Sequence, residues 1–297
     1  MKSVHHDRYG PPEVLGIKDI PAPNPGRGEI RVAVHASSVT SGDARLRRAD
    51  PPLVRLFFGL FRPRKRVPGY EFAGKVDALG ENVTQFKVGD RVFGATGFNF
   101  GALAEFLVIK EQTTLCKMPE DWSFTQAAAI PFGATTARYF LEDKGHIQAT
   151  DRVLVHGASG AVGVAAIQIA RIHGATVDGI CGPTHLELVK SLGADRVFDY
   201  SCEAPSPQSY DLIFDAAGKV NASTTKPWLR NAGRFVSVQK GLAKERPSDY
   251  PVIQAWMSQG KLQSVIDQVY PLNDIVAAHR KVDGGHKTGA VVVKIRD

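Results

Sequence analysis

Residues 156–163 read HGASGAVG, and they separate the apolar run RVLVH (152–156) from the helical pattern VAAIQIARIHG (164–174). A glycine-rich turn between a buried strand and a helix lets backbone N–H groups and the helix N-terminus approach a pyrophosphate. Ala158 occupies the place of the first glycine of G-x-G-x-x-G, so that Ala158, Gly160 and Gly163 take the three roles. The stretch predicts a dinucleotide-binding Rossmann unit; the alternative is a turn whose glycines serve only close helix packing.

The segments around this turn predict a parallel sheet. Strand-like runs are expected at 152–156, 176–181, 196–200, 212–215 and 234–238, with helices at 162–173 and 185–192 between the first of them. Some six βα steps in series indicate a doubly wound parallel sheet. Before Pro119 the pattern is all-β, with short runs at 30–36, 72–79, 90–94 and 102–109. The run 290–295 is a strand that could rejoin this first part.

Composition narrows the class of protein. The 297 residues are 43% hydrophobic and 23% charged, which is typical of a globular protein of one or two domains. The net charge is +7, and the Lys and Arg residues are scattered along the chain. Their single run, RPRKR (62–66), is interpreted as a solvated loop face rather than a nucleic-acid patch. The apolar run LFFGLF (56–61) is far too short to span a bilayer. We therefore expect no membrane partner and no nucleic-acid partner.

Three cysteines, Cys116, Cys181 and Cys202, form an odd set without CxxC spacing. They predict neither a disulfide framework nor a zinc cluster, and a reducing compartment suits them best. The N-terminus is polar and lacks a signal-peptide core. The sequence thus favours a cytoplasmic protein.

The choice between NAD and NADP depends on the end of the second strand, where an acid normally binds the ribose 2′-OH. Asp178 lies three residues too early, and the strand tip carries Cys181, Gly182 and Thr184 instead. Without a carboxylate at the tip, a 2′-phosphate would not be repelled, and His185 and Tyr200 could hydrogen-bond it. The sequence favours NADP over NAD, although no Arg or Lys stands at the tip.

Three stretches occur together in one order: PGYEFAGKVDALGENVTQFKVGDRVFG (68–94), AAAIPFGATTA (127–137) and HGASGAVG (156–163). In this combination the chain resembles the medium-chain dehydrogenase/reductase superfamily, specifically its zinc-independent quinone oxidoreductase branch. The resemblance implies an α/β fold with two domains. Residues 1–122, joined by the tail 262–297, would form a GroES-like β-barrel domain, and residues 123–261 a Rossmann domain with a doubly wound parallel sheet.

Zinc-dependent members of that superfamily place a Cys after the first long strand, a Gly-His-Glu further on, and a lobe of four cysteines. Here the first place reads ASSVTSGD (36–43), the second Gly69-Tyr70-Glu71, and the cysteine lobe is missing. The resemblance therefore implies no bound metal. Hydride transfer would take place in a pocket where hydrogen-bond donors and water polarise the substrate carbonyl.

The resemblance also implies roles for single residues. Thr40 matches the place of an Asn near the nicotinamide, and Thr136 matches a Thr that approaches the nicotinamide ribose and amide. Tyr70, beside the lost zinc position, is a candidate proton donor or, equally, a cross-strand packing aromatic. An apolar wall for a flat substrate is expected from four aromatic residues, which are otherwise ordinary core: Phe57, Phe61, Phe98 and Phe100.

The cofactor would be held along the edge of the Rossmann sheet. His185 matches a Lys that grips the 2′-phosphate in NADPH-using relatives, and Tyr200 matches a Tyr there. The full predicted set is Ser159, Gly160, Ala161, Val162, Gly163, Gly182, Thr184, His185, Tyr200, Ala217, Val238 and Gln239. The last three follow later strands at the same edge.

One departure concerns assembly. Relatives carry about 20 further residues after the RFVSVQK run (234–240), including an edge strand used for dimerisation, and this chain lacks them near 241–243. We expect a monomer or an atypical homodimer. The predicted function is an NADPH-dependent oxidoreductase that reduces quinones or other conjugated carbonyls without zinc. The alternatives are an NAD(H)-linked alcohol or aldehyde reductase, and a non-catalytic NADPH-binding protein such as a sensor or a nucleic-acid-associated regulator.

Overall fold

The computed structural model describes residues 1–296, in which the chain divides into two compact units. Unit 1 comprises Met1–Pro131, Arg246–Gln254 and the described part of Ile266–Asp297, and unit 2 comprises Phe132–Glu245 and Ala255–Val265. The predicted boundaries, 1–122 with 262–297 against 123–261, differ from this division in giving 123–131 and 246–254 to the Rossmann part and 262–265 to the first part. They remain a proposal.

The strands are β1 Lys2–His6, β2 Leu15–Asp19, β3 Glu29–Val39, β4 Glu71–Leu79, β5 Arg91–Ala95, β6 Phe106–Lys110, β7 Leu115–Lys117, β8 Arg152–His156, β9 Thr176–Cys181, β10 Arg196–Asp199, β11 Tyr210–Asp215, β12 Leu229–Ser237, β13 Ile266–Pro271 and β14 Ala290–Lys294. The helices are α1 Ser41–Arg48, α2 Val54–Phe58, α3 Phe124–Ala128, α4 Pro131–Arg138, α5 Ala161–Ile172, α6 Leu186–Ser191, α7 Ala222–Thr225, α8 Asp249–Ser258 and α9 Ile275–Asp283. The helix α4 is continued by a π-helical turn, Tyr139–Lys144.

Unit 1 contains the GroES-like fold. Its main sheet has the order β13-β14-β3-β4-β5-β7, with β6 paired to β3, and all pairs except β13–β14 are antiparallel. Along β3, Ile30, Val32 and Val34 alternate into a buried cluster with side chains of β4 and β5, as expected of a sheet with one buried face. The tail strand β14 pairs with β3, which confirms the prediction that residues 290–295 return to the first part of the chain.

Unit 2 contains a Rossmann-like sheet of five parallel strands in the order β10-β9-β8-β11-β12. The predicted strands 152–156 and 176–181 coincide with β8 and β9. Within residues 1–296 the sheet ends at β12, so the estimate of some six βα steps was one too many. The register places His156 beside Ile180 and Asp215, Asp215 beside Ser237, and Asp199 beside Cys181. Because the strands are parallel, their carboxyl ends form one edge, where ligands of such sheets bind.

Candidate functional site

The turn after β8 is fixed by backbone hydrogen bonds. Gly157 N–H and Ala158 N–H both donate to the Ile180 carbonyl, at 3.0 and 2.9 Å, which ties the turn to the end of β9. Gly157 adopts φ +77°, a conformation that favours glycine. Gly160 is the N-cap of α5 and provides no side-chain cap, so the first N–H groups of this twelve-residue helix are open to an external acceptor.

Gly163 makes the helix fit against the turn. A Cβ at this position would lie 2.1 Å from the Gly157 carbonyl oxygen and 2.7 Å from the Ala158 Cα. Both are backbone atoms that a side chain cannot displace cheaply. The third glycine of the motif, which the sequence assigned to cofactor binding, is therefore required for packing.

Gly160 has a different environment. A Cβ there would meet only the Gly157 oxygen, at 3.6 Å, and the backbone is extended at φ −75°. The fold itself thus has room for a side chain at this position. Its absence keeps the approach to the start of α5 open, which is what a pyrophosphate needs.

The end of β9 explains why Asp178 is not a ribose ligand. Its buried carboxylate accepts hydrogen bonds from Arg152 Nη2 at 2.8 Å and the Tyr210 hydroxyl at 2.9 Å, within the body of the sheet. At the tip itself, His185 N–H donates to the Gly182 carbonyl at 3.0 Å. A Cβ on Gly182 would lie 3.5 Å from the Tyr200 ring, so the exposed Tyr200 lies beside the tip.

Sequence reasoning missed Asp199, which stands at the end of β10 opposite Cys181. Its Oδ1 accepts hydrogen bonds from Ser201 N–H at 2.9 Å and Ser201 Oγ at 2.8 Å, and these lower the pKa of Asp199. Burial raises the pKa of the Cys181 thiol to about 11, with the Asp199 charge adding to it. A carboxylate therefore does stand near this edge, on the neighbouring strand. Only the pairing of β9 with β10 reveals it.

Asp215, at the end of β11, organises the other half of the edge. Its fully buried carboxylate accepts from Ser237 Oγ at 2.8 Å, lies 3.3 Å from His156 Nδ1, and accepts from Lys219 N–H at 3.2 Å. Burial alone would raise the pKa of Asp215, but the hydrogen bonds from His156, Lys219 and Ser237 lower it. The network joins β8, β11 and β12 at their carboxyl ends, because three strands each contribute one polar residue.

The Asp215 network positions three predicted cofactor residues. Gly157 comes so close to Ala217 that a Cβ on the glycine would lie 2.5 Å from the alanine Cβ. Val238 N–H donates to the Asp215 carbonyl at 3.2 Å, and Gln239 N–H donates to Ser237 Oγ at 3.1 Å. The structure therefore brings Ala217, Val238 and Gln239 to the same edge as the phosphate turn.

Thr136 also belongs to unit 2. It is buried on α4, and Gly133 on that helix approaches the Ala161 carbonyl so closely that a Cβ would lie 2.4 Å from it. Residues three apart share a helix face, so Thr136 lies one turn along from this contact with the start of α5. Its predicted place near the cofactor is consistent with that position.

Thr40 and Tyr70 lie together in unit 1. Thr40 is the N-cap of α1: its Oγ1 donates to Asp43 Oδ2 at 2.6 Å and accepts from Asp43 N–H at 3.1 Å, a complete capping box. The Asp43 carboxylate also accepts a backbone hydrogen bond from Gly69, next to Tyr70. The Tyr70 carbonyl in turn accepts from Thr96 N–H at 2.8 Å. Asp43, which the sequence did not reveal, links the two predicted catalytic residues.

The polar side chains beside Thr40 and Tyr70 carry oxygen atoms that already hydrogen-bond to neighbouring residues. The buried Glu71 carboxylate accepts a hydrogen bond from Ser38 Oγ, and the main-chain carbonyl of Glu71 accepts one from Ser37 Oγ at 2.6 Å. Zinc sites use thiolates and imidazoles together with carboxylates, in sets of three or four. Within residues 1–296, no three His, Cys, Asp or Glu side chains are close enough together to hold a metal ion.

The four aromatic residues expected to form a substrate wall do not lie in a core. Phe57, Phe61 and Phe98 are exposed and Phe100 is half-buried. The half-buried Phe58 ring lies 5.7 Å from that of Phe98 and 5.9 Å from that of Phe100, so the group is contiguous in unit 1. Their role toward a substrate stays a prediction.

The parallel sheet, the open helix start and the polar strand edge together define a dinucleotide-binding protein of the dehydrogenase type. Comparison with known families agrees. Residues 26–120 match the alcohol dehydrogenase GroES-like domain, and residues 161–269 and 252–293 match two families described as zinc-binding dehydrogenase.

Curated relatives narrow the class. The chloroplastic quinone-oxidoreductase QR1 of Triphysaria versicolor is 31% identical and the quinone oxidoreductase of Homo sapiens 30% identical, each over 99% of this chain and 98% and 97% of the relative. The solved quinone oxidoreductase of Coxiella burnetii is 28% identical, with a TM-score of 0.89 over 100% of this chain and 99% of that one. The chain belongs to the medium-chain dehydrogenase/reductase superfamily as a quinone oxidoreductase-like, NAD(P)H-dependent oxidoreductase.

The alignment with the Triphysaria versicolor relative runs over 334 residues, more than the 297 of this chain. The relative therefore carries segments that this chain lacks. Among residues 1–296, no helix is both long and apolar enough to cross a bilayer.

Proposed function

We propose that the protein transfers hydride from NADPH to quinones or other conjugated carbonyls without zinc. The observation that carries this proposal is the donor set at the end of β3 and the start of β4. There the Thr40 hydroxyl is held in a capping box and the Glu71 carboxylate is bound by Ser38. These oxygen groups already hydrogen-bond to one another, and the set offers no thiolate or imidazole for a Lewis-acid metal.

The cofactor would supply the hydride when bound. Unit 2 fits a dinucleotide because the open N-terminus of α5 and the uncluttered Gly160 suit a pyrophosphate. Ser159, Ala161, Val162 and Gly163 would accompany Gly160 there, and Ala217, Val238 and Gln239 would border the next part of the edge. Thr136, one turn from the α4–α5 contact, would orient the nicotinamide end.

NADPH is the proposed form of the cofactor because the residues at the tip of β9, Gly182, Thr184 and His185, include no carboxylate. The one acidic residue within β9, Asp178, hydrogen-bonds to Arg152 and Tyr210 instead. Tyr200 beside Gly182 would flank a 2′-phosphate. Asp199 supports the second candidate, an NAD(H)-linked alcohol or aldehyde reductase. Its negative charge beside Cys181 would disfavour a phosphate at this edge.

In unit 1 we assign the proton donor to Tyr70. Its backbone carbonyl is bound by Thr96, and its neighbour Gly69 is bound by Asp43, so the backbone that carries the ring is fixed. Replacement by Phe keeps the ring and removes the hydroxyl. If Tyr70 donates a proton, Tyr70→Phe should lower kcat on enones and leave KM nearly unchanged. If the ring serves only packing, Tyr70→Phe should leave kcat unchanged as well.

The deciding experiment is an absorbance assay at saturating NADPH or NADH against a panel of quinones, enones and aldehydes, with and without a zinc chelator. The proposal expects faster turnover with NADPH, activity on quinones or enones, and no loss with the chelator. Loss of activity on chelation would refute the zinc-free chemistry. NADPH binding without turnover of any substrate would identify a non-catalytic binding protein instead.

Assembly and compartment complete the proposal. The sheet of unit 2 ends at β12 in the described chain, and the exposed Arg230, Asn231 and Ala232 lie on that strand, so we propose a monomer or an atypical homodimer. Light scattering coupled to size exclusion distinguishes the two from a conventional dimer. The proposed location is the cytoplasm, since Cys116, Cys181 and Cys202 are all free thiols; cell fractionation tests it.

A further inference from the structure

The segment 51–66 exposes an unusual concentration of large apolar side chains. Its sequence is PPLVRLFFGLFRPRKR. Eleven large hydrophobic side chains are exposed within residues 1–296, and five belong to this segment: Leu53 at 64%, Leu56 at 59%, Phe57 at 71%, Leu60 at 53% and Phe61 at 89%. Phe98, 64% exposed, extends the patch through its contact with Phe58. Grouped exposure of this kind marks an interaction surface.

The backbone beneath these side chains is held in place. The Tyr9 hydroxyl donates to the Gly59 carbonyl at 2.8 Å, and Arg64 N–H donates to the Phe58 carbonyl at 2.8 Å. Gly59 has φ +123°, and a Cβ on it would lie 2.0 Å from the Arg62 carbonyl oxygen, so the tight turn requires glycine. The exposed leucines and phenylalanines are therefore displayed by an ordered turn.

The same segment is strongly cationic. It contains Arg55, Arg62, Arg64, Lys65 and Arg66, while no Asp or Glu occurs between residues 51 and 70. Arg66 is 3.6 Å from Asp7, and the other four form no ion pair with any described residue of 1–296. Arg55 lies over the Tyr9 ring, 5.2 Å from its centroid, so within residues 1–296 the charges with neither an ion pair nor an aromatic contact are Arg62, Arg64 and Lys65. These three are available to a partner.

We propose that segment 51–66, with Phe98, docks the protein onto an anionic phospholipid bilayer. Apolar tips that enter the acyl boundary, flanked by Arg and Lys that meet lipid phosphates, are the two elements that peripheral membrane surfaces combine. Symmetric pairing of two copies through this patch would bring its positive charges together, which opposes a dimer here. A nucleic acid would satisfy the charges but not the exposed leucines. The sequence-based expectation of no membrane partner was drawn from the run 56–61, which is too short to cross a bilayer. A surface that binds to one face of the bilayer does not need to cross it.

The test is cosedimentation of the full chain with phosphatidylcholine vesicles containing none or 30% phosphatidylserine. Binding is expected to the anionic vesicles and to weaken with salt. Arg62→Gln with Arg64→Gln should weaken it about 30-fold, near fivefold for each charge. Phe57→Ser with Phe61→Ser should weaken it at least about tenfold.

Matched controls separate this surface from general charge and hydrophobicity. Lys75→Gln with Lys110→Gln removes two exposed charges elsewhere, and Val88→Ser with Leu242→Ser removes two exposed apolar side chains elsewhere. Both pairs should bind as the unmodified chain does. Circular dichroism checks that each variant folds, and Phe61→Trp, quenched by brominated lipid, reports insertion without disrupting the patch.

Several outcomes would overturn the proposal. These are no sedimentation with either vesicle, equal binding to neutral and anionic vesicles, or equal losses in the control pairs. Dissociation of a dimer by the Phe57 and Phe61 substitutions would assign the patch to a subunit interface. Retention of a labelled single-stranded oligonucleotide that the Arg62 and Arg64 substitutions abolish, without vesicle binding, would assign it to nucleic acid. The assay contains no nicotinamide or carbonyl substrate, so its result is independent of the proposed activity.

Discussion

His279 on α9 gives the stability of unit 1 a pH dependence that can be calculated. The side chain is fully buried, and neither ring nitrogen has a hydrogen-bond partner among residues 1–296. Burial, with smaller contributions from the charges of Arg47 and His6, lowers the pKa of His279 from 6.5 to about 3. Between these two values the unfolded chain binds a proton that the folded chain does not, so the stability from this residue falls as pH decreases.

Linkage for a group with these two pKa values predicts a loss of about 2 kcal/mol of unfolding free energy between pH 7 and pH 5. His279→Leu, which fills similar volume without a titratable group, should remove that loss. At pH 7 the variant should be at least as stable as the unmodified chain, because the buried ring gains no hydrogen bond that Leu would forfeit.

The measurement is urea unfolding at pH 7 and pH 5, with Trp228 and Trp256 replaced by Phe so that Trp122 reports on unit 1. His286→Leu, which removes an exposed histidine, serves as the control and should keep the full pH dependence. Equal pH dependence in the His279→Leu variant and the unmodified chain would show that this buried ring does not account for the acid sensitivity.

Three further predictions concern the edge of the Rossmann sheet and its thiols. Gly160→Leu should fold normally yet weaken NADPH binding at least about 100-fold, as measured by titration calorimetry. Gly163→Ala should destabilise the fold by about 2 kcal/mol or more, as measured by thermal unfolding, because its Cβ would meet backbone atoms. Retained NADPH binding by Gly160→Leu would refute the assignment of this turn to the pyrophosphate. Asp199→Asn should raise the NADPH-to-NADH ratio of kcat/KM about fivefold by removing a like charge, and an unchanged ratio would place the 2′-phosphate elsewhere. With a thiol reagent at pH 8, the exposed Cys202 should react first. Cys181, which is buried and has a pKa of about 11, should stay unlabelled until the protein unfolds. Labelling is mapped by mass spectrometry, and early labelling of Cys181 would contradict its burial.

The sequence predicted all five strands of the parallel sheet and most of the main antiparallel sheet, but it did not mark β2 or β13. β8 and β9 match their predicted bounds, since both are short, largely buried runs that flank the glycine-rich turn and its helix. The strands β2 and β13 contain Lys, Gln and Asp at exposed or half-exposed positions, so no clear alternation marks them. Their strand conformation comes from pairing, of β2 with β1 and of β13 with β14.

The candidate site shows the same limit. The phosphate turn is local in sequence, and its glycine spacing predicted its position. The Asp215 network joins the ends of three strands, and Asp199 acquires its significance only through pairing with Cys181. Asp43 is likewise informative because it binds both Thr40 and Gly69, two positions separated by a long stretch of chain. No spacing rule reveals such contacts.

The irregular first position of the phosphate turn has a physical explanation that joins these two levels. Ala158 is fully buried, so its methyl group points into the sheet and leaves the surface of the turn unobstructed. The space for it comes from Gly179 on β9, where a Cβ would lie 3.1 Å from the Ala158 Cβ and 2.7 Å from Val189 Cγ1. The alanine is therefore tolerated because a neighbouring strand supplies a glycine. The departure from G-x-G-x-x-G changes the packing beneath the turn and leaves Gly160, the position proposed to face the cofactor, unaltered.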